Sequence, residues 1–261
     1  MLKQKYDNLK SYLKKLGSVA VAFSGGVDST LLLKVCSDVL LENVLAIMVI
    51  APYTPKWEVE EAKVLLKQFG VKYKFIEVEM IDEIRFSPRD RCYICKNAIF
   101  TKIKQQASAL GIYNILDGTN FDDTKDYRPG LKALKELNII SPLLANEFSK
   151  ADIRSLSKEL KLQTWNKPAY ACLLSRIPYG QEVIDIDLER IEAAEVYLMK
   201  LGFSGVRVRS HEDLARIELP KSYFDKILNE NVLEEISMKL KELGFKYVTL
   251  DLEGYKMGSL N

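Results

Sequence analysis

Apolar residues recur at helical spacing through the first seventeen positions, with Tyr6, Leu9, Leu13 and Leu16 on one face and Gly17 as a C-terminal cap. Val19 to Phe23 then reads as a short buried strand, and Ser29 to Leu41 as an apolar helix. The alternation continues with a strand over Val44 to Ile50, a helix from Pro55 to Phe69 closed by Gly70, and a strand from Lys72 to Val78. A helix is predicted after Cys95 up to Leu110 and Gly111, then a buried strand over Tyr113 to Leu116, with Ile139-Ile140 a candidate for one more. Strands alternating with helices predict an α/β fold whose parallel sheet is covered on both faces.

The texture changes near Tyr179-Gly180. Ile184 to Leu201 is helical, Val206 to Arg209 is an alternating strand, and Ala215 to Leu219 is its natural partner. Two helical stretches span Lys221 to Leu243 before a last strand at Tyr247 to Leu250. The pattern divides the chain into a larger domain over 1–179 and a smaller C-terminal α+β domain over 180–261, suited to substrate binding or oligomerisation.

Hydrophobic residues make up 48% of the 261 positions and charged ones 28%, an ordinary globular composition with length enough for a full core. Lys+Arg 38 against Asp+Glu 36 leaves a formal charge of +2, so no overall polycation recruits nucleic acid, although local basic patches stay open. The N-terminal stretch lacks the apolar core and cleavage site of a secretory signal, and the longest apolar run, Val44 to Ala51, is too short to span a bilayer. A cytoplasmic location is expected. Cysteines stay reduced there, which makes the four in this chain candidates for ligands or chemistry rather than disulfides.

Between the first strand and its helix lies Ser24-Gly25-Gly26-Val27-Asp28-Ser29. Gly25 and Gly26 permit backbone angles and a close approach that a Cβ would block. Successive N–H groups and the helix N-terminus then face an anion. Ser24 and Ser29 add hydroxyl donors, and Asp28 is placed to help hold Mg²⁺. The chain has neither GxxxxGK[ST] nor GxGxxG, which excludes the kinase-like and dinucleotide readings. The six residues resemble the pyrophosphate-binding loop of the ATP pyrophosphatases, which cleave ATP between its α and β phosphates.

Cys92-Tyr93-Ile94-Cys95 forms a CxxC, with Cys172 some way downstream, while Cys36 reads as a small core residue. The spacing alone allows a redox pair, half of a zinc site, a chance CxxC, or a cubane iron–sulfur cluster on three cysteines with one iron open. Asp117, Asp122, Asp123 and Asp126 make an acidic loop after a strand, with Asp123 a second candidate for Mg²⁺, and Gly118 and Thr119 are candidates to line the ATP cleft. Arg176 follows Cys172 by four residues and is placed to meet a phosphate or carboxylate. Arg207 and Arg209 share one strand face and, with Ser175 and Arg176, suit a clamp for a substrate phosphate. Glu195, Glu218 and His211 carry weaker functional signals, His211 reading as a structural hydrogen-bonding residue.

Longer stretches carry a further resemblance. DGTNFDDTKDYRPGLKA (Asp117 to Ala133), WNKPAYACLLSRIPYG (Trp165 to Gly180), RVRSHEDLARIE (Arg207 to Glu218) and YVTLDLEGYKMGSLN (Tyr247 to Asn261) resemble the LarE family across nearly the whole chain. The resemblance implies an ATP-dependent sulfur transferase acting on pyridinium-3,5-biscarboxylic acid mononucleotide in nickel-pincer nucleotide biosynthesis. ATP and Mg²⁺ activate a carboxylate that becomes a thiocarboxylate, with AMP and pyrophosphate released.

In one form of that family the cysteine matching Cys172 gives up its sulfur and becomes dehydroalanine. With Cys92 and Cys95 also present, this sequence resembles the second form, in which a [4Fe-4S] cluster on three cysteines carries a sulfide. A tRNA thiolase is the alternative with a different acceptor. The resemblance implies a homo-oligomer, a trimer or hexamer, with Arg207 and Arg209 near a subunit interface; it does not specify the sulfide donor.

Overall fold

The computed structural model describes residues 2–125, 129–169 and 171–256. Asp126 and positions 257–261 of the last family motif therefore lie outside the described residues.

Two compact units emerge. The first comprises Met1–Ala51, Lys56–Ile81 and Asp90–Lys167, the second Pro52–Pro55, Asp82–Arg89 and Pro168–Asn261. This division differs from the one expected at residue 179, which kept all the cysteines in the first domain: residues 168–179, with Cys172, fall in the second unit, and two short segments of the first half are bonded into it. Leu173 N–H donates to the Tyr53 carbonyl at 2.9 Å, Gly180 N–H to Ser87 at 3.2 Å and Val183 N–H to Arg85 at 2.7 Å.

In chain order the first unit runs α1 (Leu2–Leu16), β1 (Val19–Ala22), α2 (Val27–Leu40), β2 (Val44–Ile50), α3 (Lys56–Phe69), β3 (Lys72–Glu77), α4 (Arg91–Ser108) and β4 (Asn114–Leu116), followed by α5 (Gly130–Glu136), α6 (Pro142–Ala145) and α7 (Lys150–Glu159). Its four strands are parallel, in the order β3-β2-β1-β4. Period-two alternation sends Val19 and Val21 to a core shared with α1, α2, α3 and α7, and Ala20 to a second core with α4 and α5. The sheet is thus covered on both faces, as an α/β fold requires. Ile140 makes an isolated parallel bridge to Leu116 rather than a full strand.

Strand order reverses at β1: its successors go one way to β2 and β3, while β4 comes back to its other side. The connections leaving the C-terminal ends of β1 and β4 therefore diverge, opening the crevice where open α/β sheets bind ligands. The Ser24–Ser29 loop and the Asp117–Asn120 loop are those two connections.

The second unit contains α8 (Asp185–Lys200), β5 (Arg207–His211), β6 (Leu214–Glu218), α9 (Phe224–Ile227), α10 (Glu230–Glu242) and β7 (Tyr247–Leu250). Its sheet runs β5-β6-β7, antiparallel then parallel. Arg207 faces Glu218 and Arg209 faces Arg216 in the β5–β6 register. No helix among the described residues is long and apolar enough to cross a membrane.

Candidate active site

Helix α2 begins at Val27, two positions earlier than its apolar pattern predicts, so Asp28 and Ser29 lie in its first turn. Gly26 is the N-cap, and the Thr30 N–H closes the first helical bond on its carbonyl at 3.0 Å. The amides ahead of Thr30 have no intrahelical acceptor and carry the positive end of the helix dipole. Ser24 Oγ and Ser29 Oγ lie 3.1 Å apart, and Ser29 Oγ also donates to the Gly26 carbonyl at 3.3 Å. Gly25 has φ +70°, and a Cβ there would sit 3.3 Å from the Ala62 Cβ on α3. Both the backbone conformation and the wall behind it favour glycine.

The loop after β4 packs directly on this turn. A Cβ on Gly118 would come within 3.0 Å of the Ser29 backbone nitrogen and 3.2 Å of the Asp28 Cβ. Gly118→Ala is therefore expected to cost about 1–3 kcal/mol and push the first turn of α2 out of place. Chemical denaturation checks the first effect and an ATP titration, with weakened binding, the second.

Asp117 accepts from Ser141 Oγ at 2.5 Å and from Thr119 Oγ1, which keeps the neighbouring backbone rigid. Asn120 is fully buried and links the two loops: its side chain donates to Asp28 Oδ1 at 3.4 Å, and its N–H to Asp123 Oδ2 at 3.0 Å. Asp122 accepts from the Lys150 N–H at 2.7 Å, at the start of α7.

Lys150 itself reaches back to Asp28 Oδ2 at 2.5 Å. Burial pushes the Asp28 carboxyl above the usual carboxylate range, the Lys150 ammonium opposes that, and the neighbouring Asp123 charge reinforces it. A divalent cation would relieve the repulsion that the Asp123 charge exerts on the Asp28 carboxylate. Mg²⁺ needs no more than one or two carboxylates besides substrate phosphates and water. Asp28 and Asp123 fit that requirement.

A second lysine flanks the loop from the other side. Lys167 Nζ donates to the Gly25 carbonyl at 3.2 Å, pairs with Glu61 at 2.7 Å and lies 5.5 Å from the centre of the Trp57 ring. Sequence reasoning missed both lysines. The capping box Ser149-Lys-Ala-Asp152 was a signal for α7, since the Asp152 N–H donates to Ser149 Oγ and the Ser149 N–H to Asp152, each at 3.1 Å. That cap would have placed Lys150 at a helix start.

Helix α4 begins at Arg91 rather than after Cys95, because the Tyr93 and Ile94 amides already bond the Asp90 carbonyl. The polar run Arg89-Asp90-Arg91 has no apolar periodicity to reveal it. Cys92 and Cys95 thus share one helical face a turn apart, Cys92 exposed and Cys95 partly so. Tyr93 between them donates to Glu136 on α5 at 2.7 Å.

Cys172 belongs to the second unit, partly exposed, just ahead of the 3₁₀ turn Leu173–Arg176. None of the four cysteines is in a disulfide. Cys36 is fully buried, and burial pushes its thiol pKa far up, so it is a core residue. Among the described residues no group of three or more His, Cys, Asp or Glu side chains is arranged to hold a metal ion. The donor chemistry that bears on a cluster is therefore the thiol pair on α4 and the separate Cys172 thiol.

The backbone around Cys172 is gripped by three buried arginines. Arg176 makes a two-pronged pair with Glu195, 2.8 Å on each side, and its third nitrogen donates to the Ala171 and Cys172 carbonyls at 2.5 and 3.1 Å and to Ser175 Oγ at 2.7 Å. Arg207 donates to the Ala169 carbonyl and Arg209 to that of Ser175. Arg209 also pairs with the buried Glu218 at 2.8 Å. Ser175 Oγ donates to the Cys172 carbonyl at 2.9 Å. Glu195, a minor candidate from sequence, also accepts from the Val208 N–H at 3.0 Å and so joins the arginine cluster to β5. His211 ends β5; burial and the neighbouring Arg216 and Arg209 charges hold its pKa below the ordinary value.

Residues 1–105 match the family described as NAD synthase. An uncharacterised protein of Synechocystis sp. is 41% identical over all of this chain and 98% of its own length. The pyridinium-3,5-bisthiocarboxylic acid mononucleotide synthase of Lactiplantibacillus plantarum is 39% identical over all of this chain and 95% of its own. An uncharacterised protein of Methanocaldococcus jannaschii is 35% identical over 98% of this chain and 94% of its own. Built on a pyrophosphate-loop domain of NAD-synthase type and matched from end to end, the chain belongs to the family of the pyridinium-3,5-bisthiocarboxylic acid mononucleotide synthase.

Proposed function

We propose that the protein is an ATP-dependent sulfur transferase that converts the carboxylates of pyridinium-3,5-biscarboxylic acid mononucleotide into thiocarboxylates. The observation that carries this reading is the Ser24–Ser29 loop at the sheet's switch point, flanked by Lys150 and Lys167.

A carboxylate resists a sulfur nucleophile because it is anionic and its oxygen is a poor leaving group. Attack of a carboxylate oxygen on the α-phosphorus of ATP forms an acyl adenylate and expels pyrophosphate. A sulfur anion then forms the C–S bond, and the C–O bond to AMP breaks. The loop amides and Ser24 and Ser29 bind the phosphates, Lys150 neutralises charge beside Asp28, and Gly118 and Thr119 form the opposite wall. Asp28 and Asp123 are the residues that would hold Mg²⁺, which supplies charge neutralisation to the departing pyrophosphate.

Cys92, Cys95 and Cys172 are proposed to ligate a [4Fe-4S] cluster, which when bound on three thiolates supplies an open iron for an exogenous sulfide. Arg176 is proposed as the residue that orients the Cys172 segment. Ser175, Arg207 and Arg209 are proposed for the substrate's phosphate end, since both arginines lie on the β5 face that holds that segment. Assembly as a trimer or hexamer is part of the same reading, and light scattering checks it.

A second reading takes the sulfur from Cys172 itself, and the clamped backbone beside this thiol favours it. There the Cys172 thiolate attacks the adenylate, and elimination across the Cα–Cβ bond then breaks Cβ–S and leaves dehydroalanine.

Protein purified without oxygen separates these readings. Brown protein containing iron and acid-labile sulfide, losing both on Cys92→Ala, Cys95→Ala or Cys172→Ala, is the expected result. Colourless protein whose mass falls by one H₂S per sulfur transferred would put the sacrificial reading first. Pyrophosphate release stimulated by tRNA and not by the pyridinium nucleotide would replace the acceptor altogether.

A further inference from the structure

We infer that Lys167 is a positioning residue for the phosphate loop, holding the Gly25–Gly26 peptide with its carbonyl outward so that the Gly26 N–H faces the bound phosphates. The inference rests on the reading of Ser24–Ser29 as the ATP site.

The carbonyl of one residue and the N–H of the next belong to a single planar unit and point in opposite directions. Fixing the Gly25 carbonyl therefore fixes the Gly26 N–H. Two adjacent glycines leave that unit with little intrinsic preference, because neither has a Cβ to bar the flipped orientation. A flipped peptide would present a carbonyl oxygen to the anion. In the structure the Gly25 carbonyl accepts from Lys167 Nζ at 3.2 Å. Among the described residues the Gly26 N–H makes only a long contact, 3.4 Å, with Ser24 Oγ, which a phosphate oxygen readily replaces.

Glu61 and Trp57 help hold the Lys167 ammonium in place. The side chain is 13% exposed, pairs with Glu61 on α3 and lies over Trp57 on the same helix. Glu61 adjoins Ala62, the wall against Gly25. The backbone is fixed too: Arg154 donates to the Trp165 carbonyl at 2.9 Å and the Lys167 carbonyl at 2.8 Å, and the Lys167 N–H donates to Thr164 at 3.0 Å. Arg154 is the fourth residue after Lys150, so α7 anchors both lysines.

The test is equilibrium binding of ATP and steady-state pyrophosphate release for Lys167→Met and Lys167→Arg. Lys167→Met is expected to raise the dissociation constant and KM for ATP about tenfold or more, the loss of one charge-assisted hydrogen bond to the loop and its consequence for the amide. Its kcat at saturating ATP should stay within about twofold, as for lost binding that is uniform through the reaction. Lys167→Arg, which still donates to a carbonyl and pairs with Glu61, should recover most of the affinity.

Unchanged ATP affinity in a folded Lys167→Met protein overturns the inference, as does a collapse of kcat without a change in affinity. Should Lys167→Met melt early, Glu61→Gln at a half-exposed site replaces it, with a smaller loss of affinity expected and none overturning the inference. Wild-type protein that binds no ATP would instead overturn the site reading, so the two failures are distinct.

Discussion

Cys172→Ala is expected to lower sulfur transfer by about a thousandfold or more while leaving pyrophosphate release from ATP within about threefold. The loop, Asn120, Lys150 and Lys167 proposed for the phosphates all belong to the first unit, whereas Cys172 belongs to the second. On the proposed reading, removing the thiol removes the sulfur chemistry and spares adenylation. Asp28→Asn should do the reverse in order of steps: pyrophosphate release fails, and thiocarboxylate formation fails with it. Parallel assays of pyrophosphate and thiocarboxylate on both variants check the pair. A Cys172→Ala protein that still thiolates the nucleotide would exclude every reading in which this cysteine handles sulfur.

The largest effect on stability is expected from Arg176→Met. Arg176 and Glu195 are 1% and 3% exposed and pair through two 2.8 Å contacts. Removing the guanidinium leaves a buried carboxylate without its cation, a loss of about 3–5 kcal/mol. The Ala171 carbonyl loses its Arg176 donor at the same time, and the Cys172 carbonyl keeps its two bonds from Ser175. Adding Glu195→Gln should recover part of the loss, because the amide oxygen still accepts from the Val208 N–H and position 195 no longer holds an unpaired buried charge. Guanidinium titrations of the two variants measure this as a shifted midpoint, with an unchanged slope showing that the same surface unfolds. A single variant as stable as wild type would show that the pair is not a structural anchor.

Local pattern carried the reading of the sheet well. Val44–Ile50 emerges with its predicted bounds because a buried parallel strand is one continuous apolar run. The Ser24–Ser29 loop was recognisable for a similar reason, its chemistry being contained in six consecutive residues. Lys150 and Lys167 were not recognisable, since their partners lie 122 and 142 residues away. No spacing rule reaches that far.

The arginines show the complementary difficulty. Their positions on one strand face could be read from Arg207-Val-Arg209, yet which acceptors they meet depends on the Ala169 and Ser175 carbonyls, groups every residue carries. The unit boundary was hidden likewise. Pro52–Pro55 and Asp82–Arg89 are too short to announce a pairing, and only their bonds to Leu173, Gly180 and Val183 assign them.

Helix α7 has a bearing on engineering. Lys150 at its first position and Arg154 one turn later hold the two ends of the loop through different partners. Grafting Ser-Gly-Gly-Val-Asp-Ser onto another strand–helix junction would transfer the amides and leave behind both cations. A portable version of this loop has to include α7 and the chain through Lys167, which lies 142 residues beyond Gly25. Homologous chains recombined between the loop and α7 should fold and yet bind ATP poorly whenever the two parents place these side chains differently.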